Sequence, residues 1–148
     1  MTTIQERVET ARAGTHPTVI CRMLSGWAVL CDDMQYLPGY SILLPDPVVG
    51  SINDLDRAQR AAFLCDMVTI GDALLVVTGA FRINYAILGN TDPALHAHIV
   101  PRYLFEPEEL RKGPPWSYPR EMVTARLFDP APDRELMRQL AEAIERHS

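Results

Sequence analysis

Apolar residues recur at helical spacing over residues 3–13, where Ile4, Val8 and Ala11 stand among charged side chains, predicting an amphipathic helix. The run Gly14-Thr15-His16-Pro17 breaks the pattern. Residues 18–33 (TVICRMLSGWAVLCDD) are rich in Val, Ile and Trp and predict one or two strands, with a hairpin folding at Ser25-Gly26. A Pro38-Gly39 turn precedes a short apolar strand, Ser41 to Leu44. Residues 51–77 predict a long helix with Ser51 or Asn53 as its cap, acids in its first turn, and Phe63, Met67, Ile70 and Leu74 on one face. Residues 81–88 read as a strand, Gly89 to Pro93 as a tight loop, and residues 94–102 as a strand ended by Pro101. Residues 106–121 are proline-rich and read as irregular, and residues 132–147 predict a closing helix with Leu136, Leu140 and Ile144 on one face. A hairpin, one central helix and further strands imply an α+β domain on an antiparallel sheet. The expectation is a single domain over 1–148, with a core at about 20–105 and a C-terminal helical extension over 106–148.

The strand over 94–102 carries unusual chemistry. Alternation points Leu95, Ala97 and Ile99 one way and Ala94, His96, His98 and Val100 the other. Two of the chain's four histidines therefore share one face. Such a pair serves as nucleophile and base, as metal ligands, or as satisfied core residues. Zinc needs three or four ligands, and the remaining histidines, His16 and His147, lie near the termini, so no metal and no cofactor is expected.

Totals narrow the partners. The net charge is −5 and no Lys/Arg cluster occurs, which argues against non-specific nucleic-acid binding. A small anionic ligand stays open, since backbone N–H groups hold phosphate without net positive charge. The N-terminal stretch is polar, and the longest apolar run, residues 73–81, falls short of the ~18 residues a membrane span needs, so no membrane is expected. Cys21, Cys31 and Cys65 are widely spaced and odd in number, forming neither a CxxC pair nor a disulfide framework, as suits a reducing cytoplasm.

The stretch Gly89-Asn90-Thr91-Asp92-Pro93, then His96-Ala97-His98-Ile99-Val100-Pro101-Arg102, resembles the signature of the histidine triad family of nucleotide hydrolases and transferases. There, H-x-H-x-H precedes two apolar residues and often Pro-Arg. Anchored on His98 to Arg102, the family's nucleophilic histidine falls on His96 and its third on His98, while Ala94 takes the place of the first. Gly89-x-Thr91-Asp92-Pro93 also resembles the related uridylyltransferase branch. Asp32 lies six residues before Pro38, matching a family acid, and Tyr40 stands where another active-site histidine is usual. The resemblance spans about residues 25–105 and implies the fold given above.

It also implies attack on the α-phosphate of a nucleotide phosphoanhydride or phosphoramidate, dinucleoside polyphosphates being one substrate class, through a nucleotidyl-histidine. Imidazole suits this role because its ordinary pKa near 6.5 leaves it largely unprotonated at neutral pH. His96 is then the nucleophile and His98 a donor to a phosphate oxygen, while Gly89, Asn90 and Thr91 hold phosphate and Asp32 binds the ribose. Asn90 replaces the family's Gln, and Asp33 is the poorer acid by register. Arg102 is expected beyond the strand, solvated or ion-paired, and Trp116 and Tyr118 are expected to anchor the tail by packing rather than cover a base. A homodimer is implied by the family. A non-catalytic nucleotide-binding module of the same fold is the alternative reading, and a small metalloprotein a third.

Overall fold

A computed structural model describes residues 3–148. Helix α1 (Ile4–Ala13) opens on a reciprocal cap, the Thr3 hydroxyl accepting from the Glu6 N–H and the Glu6 carboxylate from the Thr3 N–H. Strands β1 (Val19–Arg22) and β2 (Gly26–Leu30) form the expected hairpin, followed by β3 (Ser41–Pro45). Gly26 allows β2 to approach β3, because a Cβ there would lie 1.8 Å from the Leu44 carbonyl oxygen.

The long helix starts later than the pattern implied. Ser51 caps only a single 3₁₀ turn, Ile52–Asp54, and the chain is extended at Leu55 before α2 (Arg57–Thr78) begins. Asp56 is the true cap, its carboxylate accepting from the Gln59 N–H, so the acids precede the first turn rather than occupy it. Phe63, Met67, Ile70 and Leu74 are buried as their spacing implied. The helix is apolar and long enough to cross a membrane, with a mean hydropathy of 1.8, and the run at 73–81 contributes only its end. Here its Phe63, Ile70 and Leu74 are buried in the core of the domain.

Strands β4 (Arg82–Ala86) and β5 (Ala97–Arg102) complete a five-stranded antiparallel sheet in the order β1-β2-β3-β5-β4. Leu30, Leu43, Leu95, Ala97 and Ile99 face α2 and the C-terminal helix α5 (Pro130–His147), whose Leu140 is fully buried among them. Val29, Ile42, Leu44 and Val100 face the other way and pack with Ile4 and Val8 of α1. The core thus reaches past residue 105. The proline-rich segment is not wholly irregular, since it contains α3 (Glu108–Arg111), a 3₁₀ turn at Pro115–Ser117 and α4 (Arg120–Thr124).

Arg102 ends β5 as a buried residue within the ladder, not a solvated one beyond it. Its guanidinium donates to the Glu106 carboxylate at 2.9 Å, to Asn84 Oδ1 and the Gly113 carbonyl at 2.8 Å, and to the Leu110 carbonyl at 2.9 Å. Glu106 in turn accepts from the Tyr118 hydroxyl and the Tyr103 N–H, each at 2.6 Å. Burial alone would raise the Glu106 pKa, but Arg102, Tyr118 and Tyr103 outweigh it and hold it below the usual carboxylate range. Removing one partner leaves a buried charge uncompensated, so Glu106→Ala is expected to lower stability by about 3–5 kcal/mol in urea titration. Glu108→Ala, which breaks an exposed pair with Lys112, is expected to change it little.

Candidate functional site

The two histidines lie at the start of β5, but the ladder begins at Ala97, so His96 precedes the strand rather than belonging to it. The backbone here is held by other means, with the Leu95 N–H donating to the Val49 carbonyl at 2.8 Å. The alternation persists all the same. Leu95 and Ala97 enter the helix-side core while the two imidazoles open onto the opposite face, their ring centroids 5.1 Å apart and inclined at 64°.

They border a cleft of about 450 Å³ that also contains Gly89, Asn90 and Thr91. Gly89 takes φ of 69°, a left-handed conformation that a side chain strains, and turns the loop toward the histidines. Asp92 ties this loop to the N-terminus of α1, its carboxylate accepting from the Ile4 N–H at 2.8 Å. Arg7 of the same helix lines the cleft, bringing a cation that the strand motif does not contain. A larger groove, about 920 Å³, lies elsewhere, lined by Cys21, Cys65 and Arg138 among others, and none of the sequence-identified site residues reaches it.

Each imidazole has a partner on Nδ1. His96 Nδ1 lies 2.8 Å from the Ala94 carbonyl oxygen. A carbonyl only accepts, so this contact places a proton on Nδ1, and in the neutral tautomer Nε2 is then the nitrogen with the free lone pair. His98 Nδ1 lies 2.9 Å from the hydroxyl of Tyr40, which is fully buried. Burial, reinforced by the neighbouring His96, lowers the His98 pKa to about 4, so this ring is neutral at physiological pH.

The structure departs from expectation at two positions. Asp32 and Asp33 are both exposed, Asp32 as expected near the surface, but it is Asp33, the poorer candidate by register, that lines the cleft. The turn after Leu30 explains this, because strand alternation no longer governs which side chain faces which way. Trp116 is not merely packing. It lines the cleft half-exposed and meets His98 edge-on at 5.9 Å, whereas Tyr118 anchors the tail through Glu106 as expected. Arg7 and Trp116 escaped the sequence motif because each reaches the cleft from far along the chain.

Among the described residues, the side chains close enough to share an ion are Cys31, Asp32 and Asp33, with ligand atoms within 4.8 Å, and the two histidines are not among them. The Cys31 thiol donates to Asp33 Oδ1 at 3.2 Å, and burial pushes its pKa well above the usual value.

Comparison with solved structures places this architecture. A histidine triad protein from Sinorhizobium meliloti superposes with a TM-score of 0.72 at 23% identity, covering 90% of this chain and 93% of its own. One from Marinobacter aquaeolei gives 0.73 at 21% identity, covering 93% and 96%, and one from Bradyrhizobium japonicum 0.68 at 24%, covering 90% and 95%. No protein-family model and no curated protein matches the chain. The fold is therefore that of the histidine triad proteins: a five-stranded antiparallel sheet, a long central helix and a C-terminal helix packed on it.

The depressed pKa of His98 has a consequence for stability. The unfolded chain takes up a proton as pH falls below about 6.5, whereas the folded chain resists until about 4. The stability contributed by a neutral His98 is thus fully present above 6.5 and lost as pH falls toward 4. Urea titrations across this range should show parent stability falling more steeply than that of His98→Gln. His16, also lowered by burial, is common to both proteins and cancels from the comparison.

Proposed function

We propose that this protein is a hydrolase or nucleotidyl transferase that cleaves at the α-phosphate of a nucleotide phosphoanhydride or phosphoramidate, such as a dinucleoside polyphosphate. The observation that carries this reading is the 2.8 Å contact from His96 Nδ1 to the Ala94 carbonyl. It holds the nucleophile through the backbone, so replacing the first histidine of the triad by Ala94 does not release the ring. His96 Nε2 attacks the α-phosphorus, the P–O or P–N bond to the leaving group breaks, and that group departs with the bonding electrons. Water then cleaves the phosphorus–nitrogen bond of the nucleotidyl-histidine, releasing the nucleoside monophosphate and the free ring.

The remaining cleft residues take complementary roles. His98 donates to a phosphate oxygen, as do the Thr91 hydroxyl and the backbone N–H groups near Gly89 and Asn90, where charge grows in the transition state. Asp33, by its place on the cleft, accepts from the ribose hydroxyls in preference to its neighbour Asp32.

The whole chain acts as one unit, without cofactor or nucleic-acid partner, and pairs with a second copy. β4 is a sheet edge, and Leu64, Val68 and Leu75 form an exposed apolar stripe along α2. The three cysteines are free, in keeping with a cytoplasmic setting. A second reading, nucleotide binding without turnover, draws on one observation: with a pKa of about 4, His98 offers no cation near neutral pH.

Turnover of a nucleotide panel separates the two. His96→Gly should abolish hydrolysis while leaving AMP binding, by calorimetry, within a few-fold of the parent, because a nucleophile gains most of its worth in the transition state. Parent protein that binds AMP and turns over no member of the panel establishes the second reading. Thr91→Val should lower kcat by up to about 100-fold with nucleoside affinity unchanged. Asp33→Ala should weaken ribonucleotide binding by about ten- to a hundred-fold, the worth of a charged hydrogen bond. Asp32→Ala should bind as the parent does.

A further inference from the structure

Charge is unevenly supplied around the cleft. Its carboxylates are Asp33 and Asp92, and among the described residues that line it Arg7 is the lone side chain with a permanent positive charge. The imidazoles do not make up the difference. A histidine must be unprotonated to attack phosphorus, and His98, with a pKa of about 4, is neutral at physiological pH. The Thr91 hydroxyl and the loop N–H groups are dipoles that serve one phosphate. Each further phosphate brings more negative charge past the two carboxylates, and a full countercharge is what offsets it.

Arg7 is carried by a helix pinned at both ends. Asp92, in the loop that Gly89 turns, accepts from the Ile4 N–H at 2.8 Å, and at the far end Arg12 Nε donates to Asp46 Oδ2 at 3.0 Å. Ile4, Val8 and Ala11 are buried along its inner face. Arg7, three residues on from Ile4, shares that residue's flank of α1, and both line the cleft. Its guanidinium has five N–H donors in a planar fork, a geometry that matches two oxygens of a phosphate. The fixed helix reduces the ordering cost of using it.

We infer that Arg7 binds the phosphates beyond the α-phosphorus, and so directs the site toward phosphoanhydrides, whose leaving group is itself a phosphate, over phosphoramidates, whose leaving amine carries none. As the P–O bond breaks, its electrons pass to the departing phosphate, and the guanidinium offsets the charge that gathers there. The preference among reactions rests on the proposed function, whereas binding of a nucleoside diphosphate through Arg7 requires no turnover.

Calorimetric titrations with adenosine, AMP and α,β-methylene-ADP, whose bridging carbon resists cleavage, separate these parts. The parent should bind the methylene analogue more tightly than AMP, with an affinity that falls as salt is raised. Arg7→Gln should weaken the analogue by about ten- to a hundred-fold, the worth of a charged hydrogen bond, AMP by a few-fold at most, and adenosine not at all. Arg7→Lys, which keeps the charge and loses the fork, should recover part of the loss. Unchanged affinity of Arg7→Gln for the analogue, an equal loss for adenosine, or a parent that gains nothing from the second phosphate overturns the inference. In turnover, Arg7→Gln should lower kcat/KM by about ten-fold or more for diadenosine tetraphosphate and leave adenosine phosphoramidate within a few-fold. An equal fall for both substrates would put Arg7 at the α-phosphate and overturn its assignment to the phosphates beyond. Binding of the analogue that depends on Arg7, in a parent protein without turnover, would support the binding role and refute the catalytic reading alone.

Discussion

The buried ion pair between Arg102 and Glu106 ties the strand that bears His98 to the segment that follows it. Arg102 closes the strand that bears His98, and its guanidinium also gathers the Leu110 and Gly113 carbonyls from the segment beyond. Glu106 completes the knot by accepting from Tyr118. Strand end and C-terminal segment are thus bound into one polar cluster with its hydrogen bonds made, the condition under which a buried charge pair is tolerable. Trp116 lies between the points held by these bonds and reaches His98. The buried pair at the end of β5 and the histidines at its beginning are linked through this one segment.

The cleft itself is built from backbone constraints as much as from side chains. Gly89 turns the loop at φ 69°, Asp92 fastens that loop to α1, and the Ala94 carbonyl orients His96. A backbone carbonyl survives any substitution of its own side chain. The Ala94 carbonyl would hold the His96 ring in the same way with any side chain at position 94. Tyr40, fully buried, brings its hydroxyl into contact with His98.

Where structure follows from local periodicity, the sequence was legible. The apolar spacing of Ile4, Val8 and Ala11, the buried face of α2, the hairpin around Ser25-Gly26 and the alternation from Leu95 to Val100 all appear in the fold. The start of α2 was less so, because Ser51, Asn53 and Asp56 all have capping side chains and only the extended backbone at Leu55 separates the 3₁₀ turn from the helix. Strand alternation likewise carried the β5 pattern back past Ala97, where the ladder has already ended. Which of Asp32 and Asp33 lines the cleft is set in a turn, beyond the reach of two-residue alternation. Arg102 looked solvated because arginine usually is; its burial depends on Asn84, Glu106 and three carbonyls that only the folded chain assembles. Trp116 and Arg7 enter the cleft through tertiary contacts, which no local pattern encodes.

The central claim is that His96 Nε2 is a nucleophile toward phosphorus, and a trapped intermediate tests it most directly. Parent protein mixed with an activated nucleotide such as an adenosine phosphoramidate, quenched within milliseconds and kept alkaline, is weighed intact and then mapped by peptide mass spectrometry. The account predicts a gain of one nucleotidyl group, localised to His96, lost on brief acid treatment as a phosphorus–nitrogen bond should be, and absent from His96→Gly. Substrate consumption with no adduct at any time point, or with the nucleotidyl group on another residue, would contradict it.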